Sequence, residues 1–339
     1  MTQRCPFLLG PAALLALAAL TSCSKPAPGA GAGAAAAPGT WEIAVIPKGT
    51  THEYWKAIHA GALKAERELN DGGSHVHVVW KGPLREDDRD QQVQVVENFV
   101  GSHAAAIVLA PLDNRALVAP VEEAAEAHIP VVVIDSSLQT DKIASYVATD
   151  NRQGGRIAAK RLAELLGGKG NVILLRYAVG SASTEGREEG FLEAIKAFPG
   201  ITLISADQHA GATRDTAKTV SENLLNRFGA QTQGIFASNE SAASGMLLAL
   251  RDAGLAGGKI KFVGFDSGEA LNDGMAKGDI QGLVVQDPFK MGYLGVTTAV
   301  KVLKGEKVPA TIDTGVGLVT PENMKDADKA ALLHPPTHE

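Results

Sequence analysis

From Trp41 onward, short β-branched runs alternate with longer runs in which apolar positions recur every three or four residues. Residues 43–46, 76–80, 106–109 and 131–134 read as strands, and 53–69, 88–100 and 115–127 as the helices between them, the last closed off by Pro130. The run 131–134 is β-branched throughout, which suits a strand covered on both faces. The rhythm restarts after Asp150. Strands are expected at 172–175, 201–205, 234–237, 260–264 and 280–285. Helices are expected at 153–166, 185–198, 213–228, 240–253 and 290–303, with a shorter one at 269–277. Strands alternating with helices make βαβ units, whose right-handed crossovers cover a parallel sheet on both sides. The fold class is therefore α/β: two doubly wound, Rossmann-like parallel-sheet lobes.

In such sheets ligands gather where strands end at their carboxyl side. The loops to inspect are 47–55, 111–114, 135–137, 177–187, 207–210, 238–240, 265–267 and 286–289. Polar and aromatic residues concentrate there, and the strand interiors are almost free of them.

Composition narrows the picture. A chain of 339 residues with 45% hydrophobic and 21% charged positions supports real cores, which excludes a disordered or collagen-like polymer and a multi-span membrane protein. The net charge of −6 gives no basic face for nucleic acid. Two cysteines cannot form a disulfide framework. Residues 1–22 read as an export signal: Arg4 supplies the positive start, and the apolar stretch 7–20, broken by Gly10 and Pro11, is too short for a transmembrane helix. It ends in Leu20-Thr21-Ser22-Cys23, which resembles a bacterial lipobox, so Cys23 is expected to carry a lipid anchor. Residues 23–40, rich in Ala, Gly and Pro, form a tether.

Catalytic signatures are weak. There is no G-x-S-x-G elbow and no G-x-x-x-x-G-K-[ST] phosphate loop. His75 and His77 share a strand face without a third ligand nearby, so neither a metal nor a cofactor is expected. What the loops offer is planar polar groups and rings. Tyr54 and Trp55 open a helix beside the first strand end, with His52 just before them. Asp135, Asn239, Asp266 and Gln286 follow or end strands, and Arg187 lies in the first turn of a helix. Carboxylates accept from hydroxyls, Arg donates, Asn and Gln do both, and rings cover the C–H faces of a sugar. This set suits a neutral polyhydroxy ligand and favours binding over catalysis.

Several stretches carry a family resemblance: Ala148-Thr149-Asp150-Asn151 with Gly154-Gly155, Gly186-Arg187-Glu188-Glu189-Gly190-Phe191, Ala237-Ser238-Asn239-Glu240, Val263-Gly264-Phe265-Asp266 and Val302-Leu303-Lys304-Gly305-Glu306. From Trp41 to about Val319 the chain resembles the periplasmic sugar-binding proteins of ABC transporters, in the ribose-binding branch, which have the type I periplasmic binding fold. The resemblance implies two lobes joined by a three-crossing hinge, residues 41–149 plus 287–314 and residues 150–286 plus 315–330. It implies that Tyr54 and Trp55 stack on a sugar, that Asp135, Arg187, Asn239, Asp266 and Gln286 clamp its hydroxyls, and that Phe265 packs its other face. The pattern departs where Ser136 follows Asp135 in place of Arg, where Thr184 replaces a second Arg, and where Asp207, Gln208 and His209 stand without a Phe. Lys48, His52, Ser136 and His209 are therefore added as ligand-binding residues. The ligand is left open among pentose, hexose, deoxysugar, polyol and phosphorylated sugar. The implied protein is an expected monomer held by lipid in the periplasm or cell envelope, serving a membrane permease. A sensor presented to a chemoreceptor or histidine kinase, and a periplasmic carbohydrate-active enzyme, are the alternative readings.

Overall fold

The computed structural model describes residues 39–337; Cys23, the expected signal and all but the end of the tether lie outside the described residues. In chain order the first half comprises β1 (Trp41–Ile46), α1 (Glu53–Asp71), β2 (Val76–Trp80), α2 (Arg89–Gly101), β3 (Ala106–Leu109), α3 (Val118–Glu126), β4 (Val131–Ile134) and β5 (Ser145–Ala148). It continues with α4 (Asn151–Leu165), β6 (Lys169–Leu175), α5 (Ala182–Ile195), β7 (Gly200–Ser205), α6 (Arg214–Phe228), β8 (Gly234–Ala237), α7 (Glu240–Asp252), β9 (Lys261–Phe265) and α8 (Glu269–Ala276). The chain closes with β10 (Gly282–Gln286), α9 (Pro288–Leu303), β11 (Thr311–Asp313), β12 (Val316–Val319) and α10 (Ala327–Leu333).

Two six-stranded sheets result, ordered β11-β5-β4-β3-β1-β2 and β12-β10-β9-β8-β6-β7. All pairings are parallel except β10 with β12. The central strands β3 and β4 are buried at every position. Their alternating side chains feed two apolar layers: Val108 and Ile134 meet Ile58 and Val296 on one face, while Ile107 and Val133 meet Phe99 and Val121 on the other. The second sheet is covered in the same way, with Ile235 on one side and Phe236 on the other. Among the described residues no helix is long and apolar enough to cross a membrane.

The chain changes sheet after β5, after β10 and after β11. The first two crossings run straight into capped helices. Asp150 accepts from Gln153 N at 2.9 Å, and Asp287 accepts from Lys290 N at 2.9 Å. The first and third crossings are tied together, Thr314 N donating to Ala148 O at 3.0 Å and Thr149 Oγ1 to Gly315 O at 3.2 Å.

Helix α9 follows a strand of the second sheet yet buries its apolar stripe, with Met291, Val296, Ala299 and Val300, on the first. It lies so close to α1 that the two backbones touch. A Cβ at Gly61 would collide with the carbonyl of Phe289, and one at Gly292 with that of Ile58.

Four elements go beyond the sequence reading. β5, β11 and β12 are three or four residues long and carry Ser, Thr, Asp or Gly, so no apolar run marks them, and α10 spans only seven residues. Helix α3 starts at Val118, three residues later than the pattern predicts, because Asp113 Oδ1 accepts from Arg115 N and Ala116 N at 2.9 and 2.8 Å and holds a turn there. Helix α5 starts at Ala182, three residues early, which draws Ser183 and Thr184 into its first turn.

Gly61→Ala should destabilise the protein by about 1–3 kcal/mol, since the added methyl has only backbone to displace. A urea midpoint equal to that of the unsubstituted chain would show that the two helices do not need this approach.

Candidate functional site

Strand ends from both sheets meet around one narrow crevice, whose side chains leave a free interior of only about 30 Å³, room for about one water molecule. From the first lobe come Lys48 after β1, Tyr54 and Trp55 in the first turn of α1, Glu86 after β2 and Asp135 after β4. From the second come Tyr177 after β6, Arg187 on α5, Asn239 and Glu240 after β8, Asp266 after β9 and Gln286 at the end of β10. Asp135 and Asp266 hold corresponding places in their lobes. Each turns the chain directly out of a buried strand with a left-handed backbone, φ 62° and 69°, a conformation that Asp tolerates better than most residues.

Lys48 is buried, with 4% of its surface exposed, and its charge is matched. Its Nζ lies 2.7 Å from Asp135 Oδ2 and donates to Ser136 Oγ at 2.6 Å, Ser183 Oγ at 3.2 Å and Ser181 Oγ at 3.4 Å. Two of those serines belong to the opposite lobe. Tyr54 OH donates to Asp135 Oδ1 at 2.9 Å. Burial first, and then the negative charge of Asp135, hold the Tyr54 phenol well above its ordinary value, so it stays a donor.

Arg187 is 2% exposed. Its Nε donates to Asn151 Oδ1 at 2.9 Å and its Nη1 to Ser238 O at 3.1 Å, with Asp266 Oδ2 3.7 Å away. The guanidinium carbon stands 3.8 Å from the centre of the Phe265 ring. Helix α5 reaches this place because α4 presents Gly155 beneath it; a Cβ there would strike the Arg187 carbonyl. Asp266 accepts from Gln286 Nε2 at 2.7 Å and from Glu240 N at 3.2 Å. Burial pushes its carboxyl up to about 6, against the opposing pull of Arg187 and Gln286.

Another cluster centres on Glu86. It accepts from Trp55 Nε1 at 2.6 Å and, across the crevice, from Tyr177 OH, and His52 Nδ1 lies 3.0 Å away. Burial alone would raise Glu86, but the His52, Tyr177 and Trp55 bonds and the His52 charge hold it at about 2. Burial alone would lower His52. The Glu86 hydrogen bond and the charges of Glu86 and Glu240 outweigh it and raise the imidazole above its ordinary 6.5.

Of the residues expected from sequence, Lys48, His52, Tyr54, Trp55, Asp135 and Arg187 line this crevice, as do Asn239, Asp266 and Gln286. Ser136 lies just behind Lys48 as its support. Phe265 does not face the cavity: the alternation of β9 turns its ring into the core beside Phe191, under Arg187, and turns the next residue, Asp266, outward. His209 is not in the crevice either. It is exposed after β7, the edge strand of its sheet, where it bridges to Arg176. Sequence reasoning missed Glu86, Tyr177, Ser181, Ser183 and Glu240 as individual residues. The loop after β2 obeys the same strand-end rule and would have revealed Glu86. A wider groove of about 600 Å³ runs along α8 and the C-terminal residues and shares Tyr54, Asp266 and Gln286 with the crevice wall. Among the described residues no group of three or more His, Cys, Asp or Glu is placed to hold a metal ion.

A family model described as a periplasmic binding protein domain matches residues 43–307. The D-ribose/D-allose-binding protein of Pseudomonas aeruginosa is 31% identical over 317 residues, 91% of this chain and 97% of the relative. The ribose import binding protein of Escherichia coli is 34% identical over 281 residues, 82% and 90% of the two chains. A carbohydrate transporter solute binding protein from Agrobacterium radiobacter, solved with D-arabinose, matches at TM-score 0.83 and 38% identity, covering 88% of this chain and 100% of that one. A solute binding protein of an ABC transporter from Agrobacterium vitis, solved with D-fucose, matches at TM-score 0.82 and 36% identity over 86% and 100%.

Because the folded chain raises the His52 value, His52 contributes stability that is complete below about pH 6.5 and is lost as pH rises through the raised value. Glu86 contributes above its ordinary 4.5 and keeps contributing until pH falls towards 2. The melting temperature should therefore fall between pH 6 and pH 9, and fall less in His52→Gln. Equal losses in the two proteins would mean that the imidazole does not titrate against Glu86.

Proposed function

Since this chain belongs to the periplasmic binding protein family, we propose that its crevice captures one monosaccharide or related polyol and delivers it to the membrane permease of an ABC transporter. One observation carries the reading. Acceptors, a guanidinium and rings from two separate lobes converge on one crevice, with Tyr54, Trp55 and Asp135 on one side and Arg187, Asn239 and Asp266 on the other. The names of the relatives support the ligand class, since those proteins bind ribose, allose, arabinose or fucose.

Each lobe holds part of the contact set, and the ligand completes it by bringing hydroxyls that both donate and accept. Closure about the three crossings then hides the sugar from water. A missing hydroxyl leaves a buried partner unpaired, which makes discrimination sharp. Lys48 adds no free positive charge, because Asp135 and the serines engage it; this favours a neutral sugar over a phosphorylated one. The protein acts by capture and release without altering its ligand. It works as a monomer in the periplasm, tethered to the membrane through lipid on Cys23.

A thermal-shift screen across pentoses, hexoses, deoxysugars and polyols tests the reading, because a ligand that binds only the folded state must raise the melting temperature. At least one neutral sugar or polyol should do so, and a screen in which none does would refute the function. Arg187→Ala should weaken the cognate sugar by about a hundredfold or more in titration calorimetry, since it removes several directional donors from a closed site. Affinity should also fall as pH drops through about 6, where Asp266 takes up a proton and ceases to be a full acceptor. A flat affinity profile from pH 8 to pH 5 would take Asp266 out of the contact set.

A further inference from the structure

Glu240 opens α7 at the crevice wall and is 3% exposed. One of its oxygens is fully occupied within the protein. Oε1 accepts from Arg214 Nη2 at 2.6 Å, Arg214 Nε at 3.1 Å and Ser244 Oγ at 2.9 Å. The other, Oε2, is buried and accepts no hydrogen bond. His52 Nδ1, from the opposite lobe, stands 3.6 Å away, beyond hydrogen-bond reach. A buried carboxylate oxygen without a donor is costly, so such an atom in a ligand cavity marks a place where the ligand supplies the donor. Asp135 shows the same arrangement on the other lobe. Its Oδ1 is held by Tyr54, while its buried Oδ2 has only the Lys48 ion pair and no aligned hydrogen bond.

We propose that Glu240 is a specificity-determining residue of the sugar site, its free Oε2 accepting a hydrogen bond from a ligand hydroxyl. The inference rests on the sugar-binding reading above and sharpens it. Glu86 and Glu240 flank His52 from the two lobes, so a ligand carboxylate or phosphate at this end would face two carboxylates against one imidazole. Arg214, the other cation here, is already committed to Oε1. The group that fits is an uncharged donor, which makes the hydroxyl at this end a requirement for tight binding.

The test is titration calorimetry on the full chain and on Glu240→Gln. The probes are D-ribose, D-arabinose, D-allose and D-fucose, followed by the monodeoxy analogues of whichever sugar binds. Gln keeps an acceptor for Arg214 and Ser244 but places an amide N–H₂ where Oε2 stood. The parent sugar should weaken by about tenfold, the loss expected when a charge-assisted hydrogen bond is replaced. A single monodeoxy analogue, the one lacking the hydroxyl that faces Glu240, should bind both proteins within about threefold of each other, because it never made that bond. The other analogues should weaken along with the parent. A parent sugar unaffected by the substitution, or analogues that all fall in parallel, would overturn the role given to Glu240 while leaving sugar binding intact. If none of the four binds, the comparison moves to whichever sugar or polyol the thermal-shift screen identifies, and if that screen finds none, the sugar reading itself fails and this inference with it. Should Glu240→Gln lose its cooperative melting transition, Glu240→Asp makes the same comparison, since it keeps the charge but withdraws the oxygen by one methylene.

Discussion

A guanidinium that is almost wholly shielded from water must find its acceptors inside the protein, and the second lobe is arranged around that requirement. Arg187 is supplied from three directions: the first turn of α4 through Asn151, the end of β8 through the Ser238 carbonyl, and the end of β9 through Asp266. The Phe265 ring closes its underside, and Gly155 lets α5 come near enough to place it. Asp266 is then fixed by Gln286 and by the first N–H of α7, so the last strand of the sheet and the start of a helix are bound into the same cluster. Removing Arg187 would leave these acceptors facing one another in a dry space, the situation in which breaking a buried pair costs most.

The first lobe solves the converse problem. It buries an ammonium against a carboxylate and reaches across the crevice for the remaining acceptors, Ser181 and Ser183. Glu86 does likewise in reaching Tyr177. The two lobes are thus bridged by polar bonds whose partners sit on opposite sides of the crevice. Each such bond trades a bond to water for one within the protein, so the pairs set register while adding little net stability. The charges at the crevice are largely paired: Lys48 with Asp135, Arg187 with Asp266, His52 with Glu86, and Arg214 with Glu240. A wall so balanced selects by hydrogen-bond geometry more than by net charge.

The layered architecture was legible because buried parallel strands are written as unbroken apolar runs, as in β3 and β4, and the helices between them carry clear stripes. The short strands β5, β11 and β12 were not, since their pairing is decided by neighbours distant in sequence. Much of the crevice followed from one rule, that polar residues just past strand ends face a shared opening; Asp135, Asn239, Asp266 and Gln286 all obey it. The rule says nothing about which side of the strand a residue takes. Phe265 and Asp266 are adjacent, yet one turns into the core and the other into the cavity. Nor does it weigh a strand's position in its sheet, and His209 follows an edge strand too remote to contribute. Glu86 would have followed from the same rule applied to the loop after β2, whereas Ser183 and Glu240 became visible only once the two lobes were set face to face.

The glycine contact between α1 and α9 bears on how the molecule is made. The helix that seals one face of the first sheet is encoded near the chain's end, beyond nearly everything that builds the second sheet. While the polypeptide is being synthesised, the amino-terminal lobe has to wait with that face covered by α1 alone until residue 292 arrives to lie against Ile58. Its partner lobe is contiguous from α4 to β10 and lacks only β12 and α10. The portion made first thus stays unfinished until most of the other has been made, and the chain's last strand and helix, β12 and α10, then complete its partner.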